Sequence, residues 1–192
     1  MNIEWKQVLK GWREAEEAHW TNFAKERGYD SWWEWRKSYV TDLGLEERAW
    51  TEEVLDDPHS YVKQLHIGGY RGWKKYRPAN VDTATFEQVA TSPTEGELSY
   101  AGEERVDVRV NGRVQEFVRK LHDTTILVLR SGDIEVLLDG HHRCAAIAIE
   151  GQDGTKSEFN LTVQICQFAN GELELLKTFA QDREIIVKKQ HD

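Results

Sequence analysis

Apolar residues in the first third of the chain recur at the spacing of an α-helix. They fall at positions i, i+3, i+4 and i+7, which share one face of a helix, and the pattern opens with Trp5, Val8, Leu9 and Trp12. Gly28, after three charged residues, is typical of a helix end. Ser31-x-x-Glu34 is a capping-box sequence, which predicts a second helix beginning at Ser31. We expect a third, short helix from Leu45 to Leu55.

A glycine-rich stretch follows this helical part. Three of the five residues from 68 to 72 are glycine, and such a density of glycine is incompatible with a regular helix or strand. The segment His66–Trp73 is therefore predicted to be a loop, which presents Arg71 and Trp73.

The second half of the chain mixes helical and strand patterns. Thr85-x-x-Gln88 is another capping box, which opens a short helix. Alternating valines at 106, 108 and 110 predict a strand, after which Asn111-Gly112 would be a hairpin turn. Residues 114, 117, 118 and 121 are apolar at helical spacing, however, so we favour a helix from Arg113 to Leu121.

Short apolar runs follow, divided by turn residues. Strands are predicted over Thr124–Leu129, Ile134–Leu138 and Phe159–Ile165, and a buried helix over the small and apolar run Cys144–Ile149. The tail from Glu172 is either a hairpin partner or a helix. The whole pattern predicts an α+β fold, a mixed sheet with helices that is preceded by a helical N-terminal part.

Tryptophans and charges divide the chain in two. All eight tryptophans lie between Trp5 and Trp73. Residues 1–77 carry a net charge of −1 and residues 78–192 a net charge of −8. We therefore place a boundary near Arg77-Pro78, between a Trp-rich helical part, 1–77, and a second domain, 78–192. The tryptophans are expected mainly in a core, because such a segment needs an apolar surface to pack on.

The overall composition limits the function classes. With 192 residues, of which 39% are hydrophobic, the chain has enough apolar material for a packed core. Its net charge of −9 argues against coating duplex DNA or an anionic membrane, since those surfaces attract cations. No apolar run reaches about 18 residues, and charge interrupts the first ten residues, so we expect no membrane span or signal peptide. The two cysteines, Cys144 and Cys166, predict no disulfide framework and a cytoplasmic protein.

One segment has the arrangement of an anion-binding site. The predicted strand Ile134–Leu138 leads into Asp139-Gly140-His141-His142-Arg143, and a helix of small residues follows at once. The glycine lets a ligand approach the backbone, and the N–H groups and dipole of a helix N-terminus favour a phosphate or carboxylate. His141, His142 and Arg143 add side-chain donors. The alternative is a tight turn whose histidines and arginine are solvated or paired with acids.

Residues from about 113 to 150 resemble the ParB/sulfiredoxin-like superfamily, because the motif Asp139-Gly140-His141-His142-Arg143 matches its Gly-x-x-Arg sequence at the start of a helix. The superfamily includes CTP-hydrolysing partition proteins, sulfiredoxins and free-serine kinases, and some relatives are labelled nucleases. The resemblance implies a ParB/sulfiredoxin-like fold for residues 78–192. It also implies a bound nucleotide (ATP, ADP or CTP), with Mg²⁺, held by Gly140, His141, His142 and Arg143. Sulfiredoxins carry a catalytic cysteine where this chain has His141, so their chemistry is not expected here.

Further candidate residues lie at the edge of the motif or outside it. The serine-kinase relatives use a glutamate near the start of the domain to activate the substrate hydroxyl. Glu95 is the candidate here, with an acidic surface loop as the alternative. Asp139 would steer Mg²⁺, orient a motif histidine or cap the helix. Arg71 would reach the same ligand or pair with an acid. Neighbouring residues rarely bind one ion, so His141 and His142 do not predict a zinc site.

Three functions are compatible with these residues. The first is a nucleotide-dependent phosphotransferase that acts on an unknown small molecule, with His141, His142 and Arg143 stabilising charge during transfer. The second is a DNA-linked nuclease or partition-type regulator, which the acidic charge disfavours. The third is a non-catalytic interaction module that binds a nucleotide or another anion and presents the Trp-rich face to a partner. We expect neither duplex DNA nor a membrane as a partner.

Overall fold

The chain forms a mixed α+β structure in a computed structural model that describes residues 1–154 and 157–181. The α-helices of these residues are α1 Trp5–Glu26, α2 Trp32–Val40, α3 Pro58–Gln64, α4 Phe86–Ala90, α5 Gly112–Arg119, α6 His141–Asp153 and α7 Leu173–Gln181. The strands are β1 Asn2–Ile3, β2 Trp50–Leu55, β3 Thr124–Ser131, β4 Ile134–Asp139 and β5 Leu161–Gln167. Short 3₁₀ helices span Thr41–Leu43, Leu45–Glu47, Arg71–Tyr76, Val108–Val110 and Asn170–Glu172. Within the described ranges, no helix has the length and apolarity that crossing a membrane requires.

The strands form one sheet in the order β1-β2-β5-β3-β4. Strands β3 and β5 are parallel, whereas the other neighbouring pairs are antiparallel. Because parallel neighbours need a crossover connection, the chain passes from β3 through β4 and α6 before it enters β5. Strands β1 and β2 precede residue 77 and the others follow it, so both compositional parts of the chain contribute to the sheet.

Helices cover both faces of this sheet. Successive residues of a strand point to opposite faces, so Ile126 and Val128 of β3 pack with α3, α4, α5 and α6. Leu127 and Leu129 of the same strand pack with α1, α2 and α7. The central strands are therefore buried on both sides, which explains why they read as continuous apolar runs in the sequence. Cys144 and Cys166 are buried free thiols, one in each core.

Most predicted elements are confirmed. Helices begin at the two capping sequences, where the Ser31 and Thr85 side chains accept from backbone N–H groups three residues later. The predicted helix α5 and the three strands of the second half are present, with ends displaced by a few residues. The tail is helical as far as Gln181, and the remainder of that prediction, 182–192, lies outside the described residues.

The helix predicted over Leu45–Leu55 is wrong. A 3₁₀ turn covers Leu45–Glu47, and Trp50–Leu55 is strand β2, which pairs with β5 along its whole length. Trp50 is 2% exposed, and its indole N–H donates to the carbonyl of Leu45 at 2.9 Å. Pairing and burial on the sheet thus override the local helical spacing.

The strand predicted at residues 106–110 is also wrong, since Val108–Val110 is a 3₁₀ helix. Val108 is buried while Val110 is 66% exposed, so the alternating valines do not share one buried face. The Asn111 side chain then accepts from the backbone N–H groups of residues 113 and 114 and caps α5, which leaves no hairpin turn. The predicted loop His66–Trp73 ends in another 3₁₀ helix, Arg71–Tyr76.

Candidate functional site

The turn between β4 and α6 requires glycine. Gly140 has a φ of +110°, and a Cβ placed on it would lie 2.7 Å from Cγ2 of Ile126. The left-handed backbone and the steric conflict both exclude a larger residue. No side chain of the described residues caps the N-terminus of α6. The N–H groups of its first turn are therefore available to an external acceptor.

A cavity of about 510 Å³ opens beside this N-terminus, within the size range of small-molecule sites, about 300–1,000 Å³. Residues Asp139–Arg143 form one wall, and helices α1 and α2 form another. Aromatic rings dominate the lining, among them Trp20, Phe23, Trp35, Tyr70, Trp73 and Phe117. The Trp-rich N-terminal helices thus cover the predicted anion site.

The predicted site residues divide into one group inside the cavity and one residue outside it. The residues that line it are Asp139, Gly140, His141, His142, Arg143 and Arg71. Glu95 is exposed in the turn 94–97 and does not line the cavity. In that turn Glu97, two residues later, binds Arg105 at 2.7 Å. The structure therefore brings the motif together with Arg71 and leaves Glu95 apart.

The tryptophans are shared between the core and the cavity. Trp12, Trp32 and Trp50 are at most 2% exposed and pack within the core, as expected. Trp20 and Trp35 line the cavity, with ring centres 5.6 Å apart. Helical spacing predicts which face of a helix is buried, but it does not show that part of that face covers a cavity.

Alternating charges connect the N-terminal helices to the motif. Arg36 Nη2 lies 2.7 Å from Glu16 Oε2 and 3.7 Å from Asp139 Oδ1, and Arg143 Nη2 lies 2.9 Å from Asp139 Oδ2. Burial and the neighbouring Asp139 raise the pKa of Glu16 above its ordinary value, against the opposing effect of Arg36. Sequence reasoning missed Glu16 and Arg36. The available signal was a charged residue, Arg36, on the apolar face of a helix.

Arg143 is held by contacts within the protein. Its Nη1 donates to Thr124 Oγ1 at 3.1 Å and to the carbonyl of Thr125 at 2.7 Å, while its Nη2 donates to Asp139. The side chain is 14% exposed. Arg143 therefore ties the start of α6 to the start of β3, and it contributes positive charge to the cavity wall in addition to this structural role.

Burial disfavours the charged form of both motif histidines and lowers the pKa of each. Burial, with the neighbouring His142 and Arg36, holds the pKa of His141 well below its usual value. Burial, with Arg113, lowers the pKa of His142 to about 4. Each imidazole can therefore donate or accept a hydrogen bond, but neither supplies the positive charge expected of it. That charge has to come from arginines.

Of the four arginines that line the cavity, Arg113 and Arg71 are the two that pair with no carboxylate among the described residues. Nη1 of Arg113 is buried without a hydrogen-bond partner among the described residues, and its guanidinium lies 6.0 Å from the Trp20 ring. Arg71 is exposed at the cavity and forms no ion pair within the described ranges. The cavity lining contains four arginines and two carboxylates, which gives it a net charge of +2, whereas the net charge of the chain is −9.

The cavity does not fit a magnesium ion held by the protein. Both oxygens of Asp139 face guanidinium groups, and Glu16 is paired with Arg36. The described residues contain no group of three His, Cys, Asp or Glu side chains with the arrangement of a metal site. In this arrangement the Asp139 carboxylate is paired with arginines, Arg143 at 2.9 Å and Arg36 at 3.7 Å.

Comparisons with protein-family models, curated proteins and solved structures give no match for this chain.

Proposed function

We propose that the protein binds a nucleotide in this cavity, with a phosphate at the N-terminus of α6 and the base among the aromatic rings. The observation that carries the proposal is the local charge of +2 beside an uncapped helix N-terminus, in a chain whose net charge is −9. A helix N-terminus and arginines together favour a phosphate. Aromatic faces offer a stacking surface to any base.

The resemblance to the ParB/sulfiredoxin-like superfamily supports the same proposal. Its Gly-x-x-Arg motif corresponds to Gly140 and Arg143, which stand at the β4–α6 turn after the hairpin β3–β4. The helices α1 and α2 would add a second, aromatic half to such a site. Among the superfamily's nucleotides, ATP, ADP and CTP are the candidates.

Phosphoryl transfer is the reaction we propose for the bound nucleotide. A hydroxyl oxygen of a small-molecule acceptor forms a bond to the terminal phosphorus, and the bond from that phosphorus to its bridging oxygen breaks. The bridging oxygen leaves with the shorter nucleotide. The acceptor proton passes to neutral His142, whose pKa rises when a phosphate lies beside it. Arg113 and the N-terminus of α6 stabilise the charge that develops.

A thermal-shift panel of ATP, ADP, CTP and GTP, with and without Mg²⁺, tests the binding. A ligand that binds only the native state at about 100 times its Kd adds about 2.7 kcal/mol of stability. Arg113→Ala should reduce the affinity roughly ten- to a hundredfold, because a charge-assisted contact is worth about 1.5–3 kcal/mol. Arg13→Ala is the matched control, since Arg13 is half exposed and pairs only loosely with Glu17 at 3.9 Å.

Turnover of a labelled nucleotide separates the reaction from simple binding. Binding without turnover in the presence of candidate acceptors would leave a non-catalytic nucleotide-binding module. The proposed function would be contradicted if no nucleotide raises the Tm. It would also be contradicted if Arg113→Ala and Arg13→Ala bind nucleotide with the same affinity.

A further inference from the structure

We propose that Arg36 makes the cavity selective for a nucleobase that carries a carbonyl oxygen, so that adenine is disfavoured. This inference rests on the proposed nucleotide function and names the class of base that the site takes. Arg36 belongs to α2 and lines the cavity. Its side chain is 9% exposed, so its N–H groups need acceptors from the protein or from a ligand.

The Arg36 guanidinium has few hydrogen-bond acceptors around it. Nη2 donates to Oε2 of Glu16 at 2.7 Å. Nε is buried without a partner, and Nη1 forms no hydrogen bond within residues 1–154 and 157–181. Oδ1 of Asp139 lies 3.7 Å from Nη2, which is beyond hydrogen-bond distance. Because a buried donor without an acceptor is unfavourable, the unused N–H groups favour a ligand that supplies an acceptor.

The acceptor that fits this arginine is a neutral one. The positive charge of Arg36 already faces two carboxylates, Glu16 at 2.7 Å and Asp139 at 3.7 Å. A phosphate or carboxylate that approached the guanidinium would come close to both of these negative charges, which repel it. A carbonyl oxygen accepts a hydrogen bond without adding a charge. We therefore place the phosphate at the N-terminus of α6 and a neutral part of the ligand at Arg36.

The rings around Arg36 suit a planar ligand. The guanidinium carbon lies 4.6 Å from the centre of the Trp35 ring, 5.8 Å from that of Trp20 and 5.9 Å from that of Tyr70. All three rings line the cavity, and aromatic faces stack on bases. Asp139, which is next to Arg36, directly precedes the turn into α6. A base among these rings can thus turn one edge toward Arg36 while its phosphate lies at the helix N-terminus.

The edge of the base decides whether this arginine finds an acceptor. Guanine and uracil present carbonyl oxygens, which accept from a guanidinium. Adenine carries an amino group where guanine carries its carbonyl oxygen, and an amino group facing Arg36 would set donor against donor. A site built around a hydrogen bond discriminates strongly against an analogue that lacks the bonding group. Nucleotides with a carbonyl on the base should therefore bind more tightly than adenine nucleotides.

The test compares inosine monophosphate with AMP, which carry a carbonyl oxygen and an amino group, respectively, on the same ring carbon. GMP and UMP are titrated alongside, to separate a purine carbonyl from a pyrimidine carbonyl. Each ligand is measured against the parent, the double variant Glu16→Gln/Arg36→Met and the matched control Glu17→Gln/Arg13→Met. Arg13 and Glu17 are a half-exposed pair on α1, 3.9 Å apart, and neither lines the cavity.

The double variant removes the guanidinium together with the carboxylate bonded to it, so the net charge of the cavity lining stays the same. We expect the parent to bind inosine monophosphate at least about tenfold more tightly than AMP. In the double variant the two affinities should agree within about threefold, with AMP binding as in the parent, and the control should keep the preference. If the double variant does not fold, Arg36→Lys replaces it, because the shorter lysine keeps the charge beside Glu16 but lacks the planar fork.

A preference of about tenfold over AMP for any of the three carbonyl ligands, lost when Arg36 is replaced, supports the proposal. The ligand that binds most tightly then identifies the base as a purine or a pyrimidine. Equal affinities for all four ligands in the parent, or a preference for AMP, overturn the proposal and leave the proposed function intact. A preference that survives the loss of Arg36 overturns it as well, and so does an equal loss for every ligand, which would place the phosphate on this arginine. Failure of every nucleotide to bind overturns both.

Discussion

Replacing Asp139 with asparagine should destabilise the protein and at the same time strengthen anion binding in the cavity. The Asp139 side chain is 9% exposed and faces Arg143 at 2.9 Å and Arg36 at 3.7 Å. Asparagine keeps the shape and one acceptor oxygen but removes the negative charge. The cavity lining then holds four arginines and one carboxylate, and the Arg143 guanidinium loses its charged partner.

The expected loss of stability follows from the burial of the pair. Removing one partner of a buried ion pair costs about 3–5 kcal/mol, and the remaining amide oxygen reduces this to about 2–3 kcal/mol. In a protein of this size about 1 kcal/mol corresponds to roughly 2–4 °C in Tm. The Tm should therefore fall by about 4–12 °C.

The expected gain in affinity follows from the same charge. At an effective dielectric constant of about 20, two unit charges about 8 Å apart interact by about 2 kcal/mol. Removing the Asp139 charge from the cavity wall should therefore favour a bound anion by an energy of that order before screening by salt. We expect at least about 1 kcal/mol to survive, which is roughly a fivefold lower Kd.

The measurement combines thermal unfolding without ligand and titration with ADP in the presence and absence of Mg²⁺. Asp153→Asn is the control, because Asp153 also pairs with an arginine, Arg109 at 3.3 Å, but is 55% exposed. An exposed pair contributes about 0–1 kcal/mol, so this variant should resemble the parent in both assays. If Asp139→Asn binds ADP more weakly, and the loss appears only with Mg²⁺, the carboxylate is a metal ligand and the reasoning fails.

Three further predictions concern pH, the glycine turn and DNA. Burial lowers the pKa of His142 from 6.5 to about 4, so between these pH values the unfolded chain binds more protons than the folded one. The free energy of unfolding should therefore fall by about 3 kcal/mol in total as the pH drops from 6.5 to 4. Urea unfolding of the parent and of His142→Gln checks this, and the same dependence of stability on pH in both proteins would contradict it. Gly140→Ala should lower the free energy of unfolding by about 1–3 kcal/mol more than Gly154→Ala does. Both glycines have a positive φ, but only at Gly140 would a Cβ meet Ile126. Similar unfolding midpoints for the two variants would rule out the steric conflict. Random-sequence duplex DNA should bind more weakly than about 10⁻⁴ M near physiological salt, and a micromolar affinity that weakens steeply with salt in fluorescence anisotropy would instead favour the nuclease or partition function.

The sequence by itself determined the elements whose hydrogen bonds are local. The helix starts at Ser31 and Thr85 depend on a side chain and an N–H group three residues away, so a short window contains the whole signal. The succession of strand, Gly140 and helix is similarly local, and its residues do line the cavity. Neutral histidines were not predictable, because their pKa values depend on burial by Trp73 and Tyr70 from a distant segment.

Only the tertiary structure decided which side chains complete the cavity. Glu16, Arg36 and Arg113 come from α1, α2 and α5, and no spacing along the chain relates them to the motif at Asp139. The same holds for β2, which is a strand because β5 offers its backbone groups and the sheet buries Trp50. Contacts between distant segments depend on how the helices pack over both sheet faces. A local pattern of apolar residues specifies that a face is buried, but it does not specify the partner against which that face packs.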